Sequence, residues 1–334
     1  MPEYRSSTVF MLAPQRHGSN KTQSLLSTNN PALHGPYPPV PRREFMALQG
    51  LAGPELVDAM TLSANLSPRP LVPGGRLLST AEVERERRER ELPQDVLGIS
   101  LAINLVGARL AGQGRARILC KSPDNLDIAE RFGDRLVDAA FVHVIRDPRA
   151  VWNSGRGTAR GPQSPHQSAL KWADYHLRVA ELAKSTPLVT LKYEDLMARP
   201  ADELRRACEF LDVPFTAEML EDHGADELEH AAALNPELWG NLAKPIQHDR
   251  VSAWERELPS EEIDIVDNSC RAVMEAYGYE PRHPARPLTA ADRSYRPELP
   301  PPAESAEPRR AQLTHCKHLA QRLEDRASTV GRAS

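Results

Sequence analysis

Thr8-Val-Phe-Met-Leu-Ala-Pro-Gln-Arg-His-Gly-Ser-Asn-Lys-Thr22 is the stretch on which the fold turns. Thr8 to Ala13 is a short apolar run stopped by Pro14, the pattern of a buried strand. Gln15 to Asn20 is polar and contains Gly18, so it reads as a loop, and residues 21–27 can start a helix. Three further runs read as strands: Arg117 to Lys121, Ala140 to Ile145, and Leu188 to Tyr193. Helical segments lie between them, one beginning near Pro148, one over about 166–184 and one over 201–211. Asp95 to Leu110 is an apolar helix stopped at Gly112. Strands alternating with helices predict an α/β chain of three layers, with a central, mainly parallel sheet of four to five strands flanked by helices.

The remaining segments fit around that sheet. His34-Gly-Pro-Tyr-Pro-Pro-Val-Pro41 cannot be a helix interior, because proline lacks the N–H and clashes with the preceding turn. Arg42 to about Met60 reads as one helix, and residues 67–75 as a loop. Thr80 is placed to cap the next helix. Residues 82–91 alternate in charge, which predicts a solvated helix laced by i,i+4 pairs. Ser260 is placed to cap the last helix, with Glu261 and Glu262 in its first turn. Prolines 281, 284, 287, 297, 300–302 and 308 then break the pattern, so 281–334 reads as a loosely ordered tail, with a short amphipathic helix over 312–327. The expected organisation is an extension over 1–7, one domain over 8–280, and the tail.

Composition narrows the function. Lys and Arg total 42 against 46 Asp and Glu, a net charge of −4, which argues against a general nucleic-acid surface but leaves room for a local anion site. Cys120, Cys208, Cys270 and Cys316 are far apart in sequence, with no histidines at zinc spacing, so reduced thiols in a cytoplasmic protein and no metal are expected. The first residues show no leader pattern and no stretch approaches a membrane span, so neither export nor membrane insertion is expected.

In a parallel sheet, ligands bind at the carboxyl ends of the strands, and three features fall there. In the loop Gln15 to Asn20, backbone N–H groups entering a helix favour an anion, and Gly18 permits close approach. Ser19 and Asn20 add donors, and Arg16 adds a full charge. In Arg146-Asp-Pro-Arg-Ala-Val-Trp-Asn-Ser154, Pro148 suits the first turn of a helix, and Arg146 with Ser154 can hold a second phosphate. Tyr193, at the end of the last strand, can pack on a base or ring.

These residues carry a resemblance to sulfotransferases that use 3′-phosphoadenosine 5′-phosphosulfate (PAPS). The first strand with Arg16-His-Gly-Ser-Asn20 resembles their 5′-phosphosulfate loop, with His17, Ser19 and Asn20 in place of the usual Ser, Thr and Thr. Arg146 and Ser154 match the 3′-phosphate motif and its spacing. Tyr193-Glu-Asp-Leu196 is similar to a Tyr-Glu-Asp-Leu element of the family. Ala243-Lys-Pro-Ile246, with Trp254, is similar to the Lys-Pro loop of tyrosylprotein sulfotransferases, and Tyr277-Gly-Tyr279 to the Gly-Tyr that often closes the domain. The Lys-Thr-His that carries the base in one branch of the family is Lys121-Ser122-Pro123 here, so that base is missing.

The resemblance implies a P-loop-like fold and in-line transfer of a sulfuryl group from PAPS to a hydroxyl or amine of a small-molecule, carbohydrate or peptide acceptor. It also implies that Arg16, His17, Gly18, Ser19, Asn20, Arg146, Ser154, Tyr193 and Lys244 hold the cofactor. Arg16 is expected at the bridging oxygen and 5′-phosphate, and Lys121 at the sulfuryl oxygens. His34 is the first choice of general base, because histidine titrates near neutrality, with Glu44 and His17 as the alternatives. His143, mid-strand, reads as a core residue. Residues 35–92 are expected to line the acceptor pocket, and a homodimer stays open. Two other readings stand beside this one. The first is a P-loop nucleotide kinase, although Lys21 comes two residues late for its motif; the second is a non-catalytic nucleotide-binding or scaffold protein.

Overall fold

The computed structural model describes residues 3–298 except 6, 36–41, 48–49, 66–75, 111–116, 159–160 and 222–249, and except the side chains of 43, 44 and 47. Lys244 with its Lys-Pro loop, the side chain of Glu44, Cys316 and the helix expected over 312–327 therefore lie outside the described residues.

Five strands form one sheet in the order β3 (Leu33–His34), β4 (Arg117–Lys121), β2 (Thr8–Leu12), β6 (Ala140–Ile145), β7 (Leu188–Lys192). Every neighbouring pair is parallel. Val9 pairs with Leu119 on one side and Ala140 on the other, so the first long strand is the centre of the sheet. β1 (Tyr4–Arg5) and β5 (Leu136–Val137) form a separate two-residue parallel pair. The strands read from sequence are all present. β3 was not legible, because two residues carry no periodicity.

Successive side chains of a strand point to opposite faces, and both faces of this sheet are covered, so β2 is buried throughout and reads as continuously apolar. Phe10, Cys120 and Phe141 pack against Val57 and Met60 of α3 (Gly53–Asn65) and Ile99 and Ile103 of α5 (Val96–Leu110). Val9, Met11, Val142 and Leu191 face α1 (Ser19–Ser27) and α10 (Pro200–Phe210). A third cluster joins Trp152 of α7 (Pro148–Gly155) and Trp172 of α8 (Pro165–Leu182) to Val266 and Met274 of α12 (Ser260–Ala276). Among the described residues no helix is long and apolar enough to cross a membrane. Cys120, Cys208 and Cys270 are buried free thiols.

Four local expectations need correction. The helix expected over 42–60 is two, α2 (Arg42–Ala47) and α3, because Gly50 (φ 105°) and Gly53 (φ 56°) adopt backbone that a right-handed helix excludes. Ser79, not Thr80, caps α4 (Thr80–Glu89): its hydroxyl accepts from the Glu82 N–H while the Glu82 carboxylate accepts from the Ser79 N–H. Ser79→Ala removes one half of that reciprocal pair and should lower unfolding free energy by about 1 kcal/mol, measured by urea titration. The charge alternation that follows forms the expected pairs, Arg88 to Glu84 and Arg90 to Glu86. Pro259, not Ser260, is the N-cap of α12, and the Ser260 hydroxyl hydrogen-bonds with the His283 ring.

The fourth correction concerns the segment after Glu280. Residues 281–298 are not loose. The Arg282 and His283 N–H groups donate to Asp267 Oδ2, and Arg286 clasps both Asp264 and Asp292. Thr289 and Asp292 then cap α13 (Ala290–Ser294). Proline blocks helix but not this kind of side-chain anchoring, and the anchors are long-range pairs that composition does not show.

Candidate active site

The carboxyl ends of β2, β4, β6 and β7 converge on the loop 15–20. Arg16 and Gly18 both have positive φ, 69° and 79°, which bends the chain sharply before α1. At Gly18 the need for glycine is twofold. A Cβ there would stand 2.2 Å from the Tyr193 ring as well as in strained backbone. The loop closes on α1 through the Thr22 N–H to the Gly18 carbonyl, 3.0 Å. Lys21 is the third residue of α1, past the loop.

Arg16 Nε donates to Ser154 Oγ at 3.1 Å, joining the loop to α7. Arg146 leaves the end of β6 and donates to the carbonyls of Arg16 (3.3 Å) and Arg250 (3.2 Å). Its guanidinium lies over the Tyr193 ring, 4.7 Å from the centroid. Arg146 is buried, its Nε has no hydrogen-bond partner, and among the described residues it makes no ion pair. A buried charge without a counter-charge is costly, so the arrangement is suited to receive an anion. Lys121 Nζ, at the end of β4, donates to Asn20 Oδ1 at the start of α1. Arg16, Gly18, Asn20, Lys121, Arg146, Ser154 and Tyr193, expected together from sequence, are therefore brought together, and Ser19 begins α1 beside them, buried.

The Tyr193-Glu194 and Gly278-Tyr279 elements serve this site from behind. Glu194 accepts from the Asp147 N–H (2.9 Å) and from the Tyr279 hydroxyl (2.9 Å). Burial pushes its carboxyl above the usual carboxylate range. Asp147 caps α7 by accepting from the Arg149 N–H. Arg149 pairs with Asp147 and stacks on Trp254 at 4.0 Å. Arg146 thus leaves a strand end fixed on both sides, and Trp172 Nε1 donates to its carbonyl at 2.9 Å.

Two features were not legible in sequence. Arg42 of α2 is buried and donates to both oxygens of Asp124 (3.0 and 2.8 Å) and to Asn125 Oδ1 (2.6 Å). Asn125 Nδ2 in turn donates to the Met11 and Cys120 carbonyls. That cluster pins the start of α2 behind Lys121. The second feature is a file of three histidines, 17, 176 and 143. No motif signals either one, because their members are far apart in the chain.

The candidate bases separate. His17 is fully buried: its Nδ1 hydrogen-bonds the Gln15 carbonyl (2.9 Å) and its Nε2 faces His176 Nε2 (3.2 Å). Burial lowers its pKa to about 4. The ring points into the protein, and its two nitrogens are taken up by the Gln15 carbonyl and His176, which speaks against His17, named among the alternatives, as the general base. His34 ends the edge strand β3 opposite Ile118. It is half-buried and stands about 10 Å short of Lys121 along the sheet, three residues at about 3.3 Å each. His143 is in the core, as read from sequence.

Among the described residues no three His, Cys, Asp or Glu side chains form a metal site. A model of the sulfotransferase family matches residues 8–217, and a sulfotransferase domain model matches 165–278. The structure is similar to the sulfotransferase domain of the Synechococcus PCC 7002 olefin synthase. That match has a TM-score of 0.55 at 20% identity, over 84% of this chain and 96% of that one. It is similar also to the sulfotransferase domain from the curacin biosynthetic pathway, with a TM-score of 0.54 at 17% identity, over 84% and 99%. No curated protein matches the sequence. The first family model begins at the strand that centres the sheet, takes in the loop 15–20 and the Arg146–Ser154 element, and covers well over half of the sequence: the chain belongs to the sulfotransferase family.

Proposed function

We propose that this protein transfers a sulfuryl group from PAPS to a hydroxyl or amine of a small-molecule, carbohydrate or peptide acceptor. The observation that carries the reading is Arg146, a buried guanidinium facing carbonyls and a tyrosine ring, with no acidic partner among the described residues, 3.3 Å from the loop that Arg16 belongs to. The residues fit a bisphosphorylated nucleotide: two anion positions, one at the loop 15–20 and one at Arg146 and Ser154, with Tyr193 beside both.

PAPS supplies the activated sulfuryl group when bound. The chain's own part is positioning and charge. Arg16 and the loop N–H groups hold negative charge at the 5′ side, and Arg146 with the Ser154 hydroxyl holds it at the 3′ side. Lys121, anchored through Asn20, places a third cation between sheet and helix, where equatorial oxygens gather charge. His34, on the neighbouring edge strand, takes the acceptor proton in this reading, and 35–92 lines the acceptor pocket.

A ligand that binds only the folded state raises its melting temperature. The expected result is a larger rise with 3′,5′-adenosine bisphosphate than with ATP or GTP, together with slow release of that bisphosphate from PAPS as the sulfuryl group passes to water. A larger rise with ATP and magnesium would favour a kinase instead. Arg146→Ala should weaken binding of the bisphosphate by about 10–100-fold, the worth of a charge-assisted hydrogen-bond pair. Binding of 5′-AMP, measured by the same calorimetry, should change far less, and an equal loss for both nucleotides would remove Arg146 from the 3′ position.

A further inference from the structure

Behind the phosphate loop, three imidazoles stand in file across the sheet. His17 Nε2 lies 3.2 Å from His176 Nε2, His176 Nδ1 lies 2.9 Å from His143 Nε2, and His143 Nδ1 lies 3.2 Å from Thr190 Oγ1. The file runs from the loop, through α8, to β6 and on to β7. All three rings are fully buried, and burial drives the pKa values of His17 and His143 to about 4 and about 3, and that of His176 well below its ordinary range. They are neutral, so each ring has one donor and one acceptor.

One end decides every proton. His17 Nδ1 faces the Gln15 carbonyl, which only accepts, so Nδ1 carries the hydrogen and Nε2 accepts. His176 must then donate from Nε2 and accept at Nδ1, and His143 must donate from Nε2 and accept at Nδ1. The Thr190 hydroxyl closes the file by donating to His143. Four hydrogen bonds are satisfied by a single arrangement of protons, and reversing any ring sets two donors or two acceptors face to face.

The loop end of this file is the residue between Arg16 and Gly18, the two positive-φ positions. Gln15 and His17 flank Arg16, and the ring of one is tied to the carbonyl of the other, so the Arg16 backbone is gripped on both sides. We infer that His17, His176 and His143 are positioning residues for sulfuryl transfer: a polar spine that holds Arg16 in its strained conformation, aimed at Ser154 and the site. This rests on the transfer reading above. Nothing in the reaction touches the rings; they act through Arg16.

His176 is the hub, and its ring also packs edge-on against Trp172 at 4.6 Å. Phenylalanine keeps that ring and loses both hydrogen bonds. Glutamine loses the ring but keeps a donor and an acceptor in one side chain. His176→Phe should lower kcat for bisphosphate release from PAPS by up to about 100-fold while affinity for the bisphosphate stays within about threefold, because misplacement by an ångström costs rate more than binding. His176→Gln should recover most of the lost kcat.

A His176→Phe kcat within about twofold of the parent overturns the proposal, as does a glutamine variant as slow as phenylalanine. Should His176→Phe not fold, Thr190→Val carries the kinetic test. It keeps the shape of a half-buried strand residue and removes the terminal donor, so kcat should fall with affinity unchanged, and an unchanged kcat overturns the proposal. Independently, nitrogen NMR of the wild-type rings should show His17 protonated at Nδ1 and His143 and His176 at Nε2. Any other tautomer breaks the spine. If the wild-type chain does not bind 3′,5′-adenosine bisphosphate, the transfer reading fails and takes the positioning role with it, while the ring spectrum still reports whether the file exists.

Discussion

Arg16→Ala should slow turnover of PAPS by about 10²–10³-fold, the cost of removing one preorganised donor aimed at charge that develops in a transition state. The argument is geometric. Arg16 sits at φ 69°, in backbone that a side chain other than glycine rarely adopts, and its Nε is held by Ser154. That strain is maintained by the buried ring of His17 and by Arg146, whose Nη1 donates to the Arg16 carbonyl. Alanine can keep the backbone hydrogen bonds and loses the guanidinium alone. Affinity for 3′,5′-adenosine bisphosphate should therefore fall much less than kcat. Steady-state release of bisphosphate, with calorimetric binding beside it, separates the two, and near-normal turnover would take Arg16 out of the reaction.

The second large effect is on stability in acid. Burial lowers the pKa of His17 from 6.5 to about 4 and of His143 to about 3, and that of His176 falls as well. The unfolded chain binds these protons near 6.5 while the folded chain refuses them, so the stability present above 6.5 is lost as pH falls toward the folded values. Each imidazole contributes up to about 1.4 kcal/mol per pH unit in that window. Glu194 and Asp267 work in the opposite direction, since burial raises their pKa values and the folded state takes their protons first. The three buried imidazoles act against them from pH 6.5 downward. Urea unfolding at pH 7, 6 and 5 should show stability falling steeply below 6.5, and a flat profile would contradict the buried, neutral file.

The order of elements could be read from residues that act locally. An apolar run stopped by Pro14, a glycine at the bend and Pro148 in the first turn of α7 each carry their meaning within a few positions. That these residues would gather was legible for the same reason, since a parallel sheet sends every strand end to one edge, and the strand ends carry Arg16, Lys121, Arg146 and Tyr193. What stayed hidden depends on tertiary meeting. His143 reads as core and is core, but its partnership with His17 and His176 exists only once β6, the loop and α8 pack. Arg42 looks like any arginine until Asp124 arrives beside it. Arg286 sits among prolines that suggest disorder and holds two aspartates. In each case a polar residue finds its partner through the fold, and spacing along the chain has no record of the distance.

The position of β2 also has a consequence for how the protein is made. Of the five strands of the sheet, the first to be synthesised is its middle one, and its neighbours on both sides, β4 and β6, come from far downstream. On a ribosome adding about 5–20 residues per second, Thr8–Leu12 waits roughly 5–20 s before Arg117–Lys121 exists to pair with it. During that interval an apolar segment with two open edges is exposed in the nascent chain; its second edge is covered only once Ala140–Ile145 emerges, and Leu188–Lys192 then adds the outer strand.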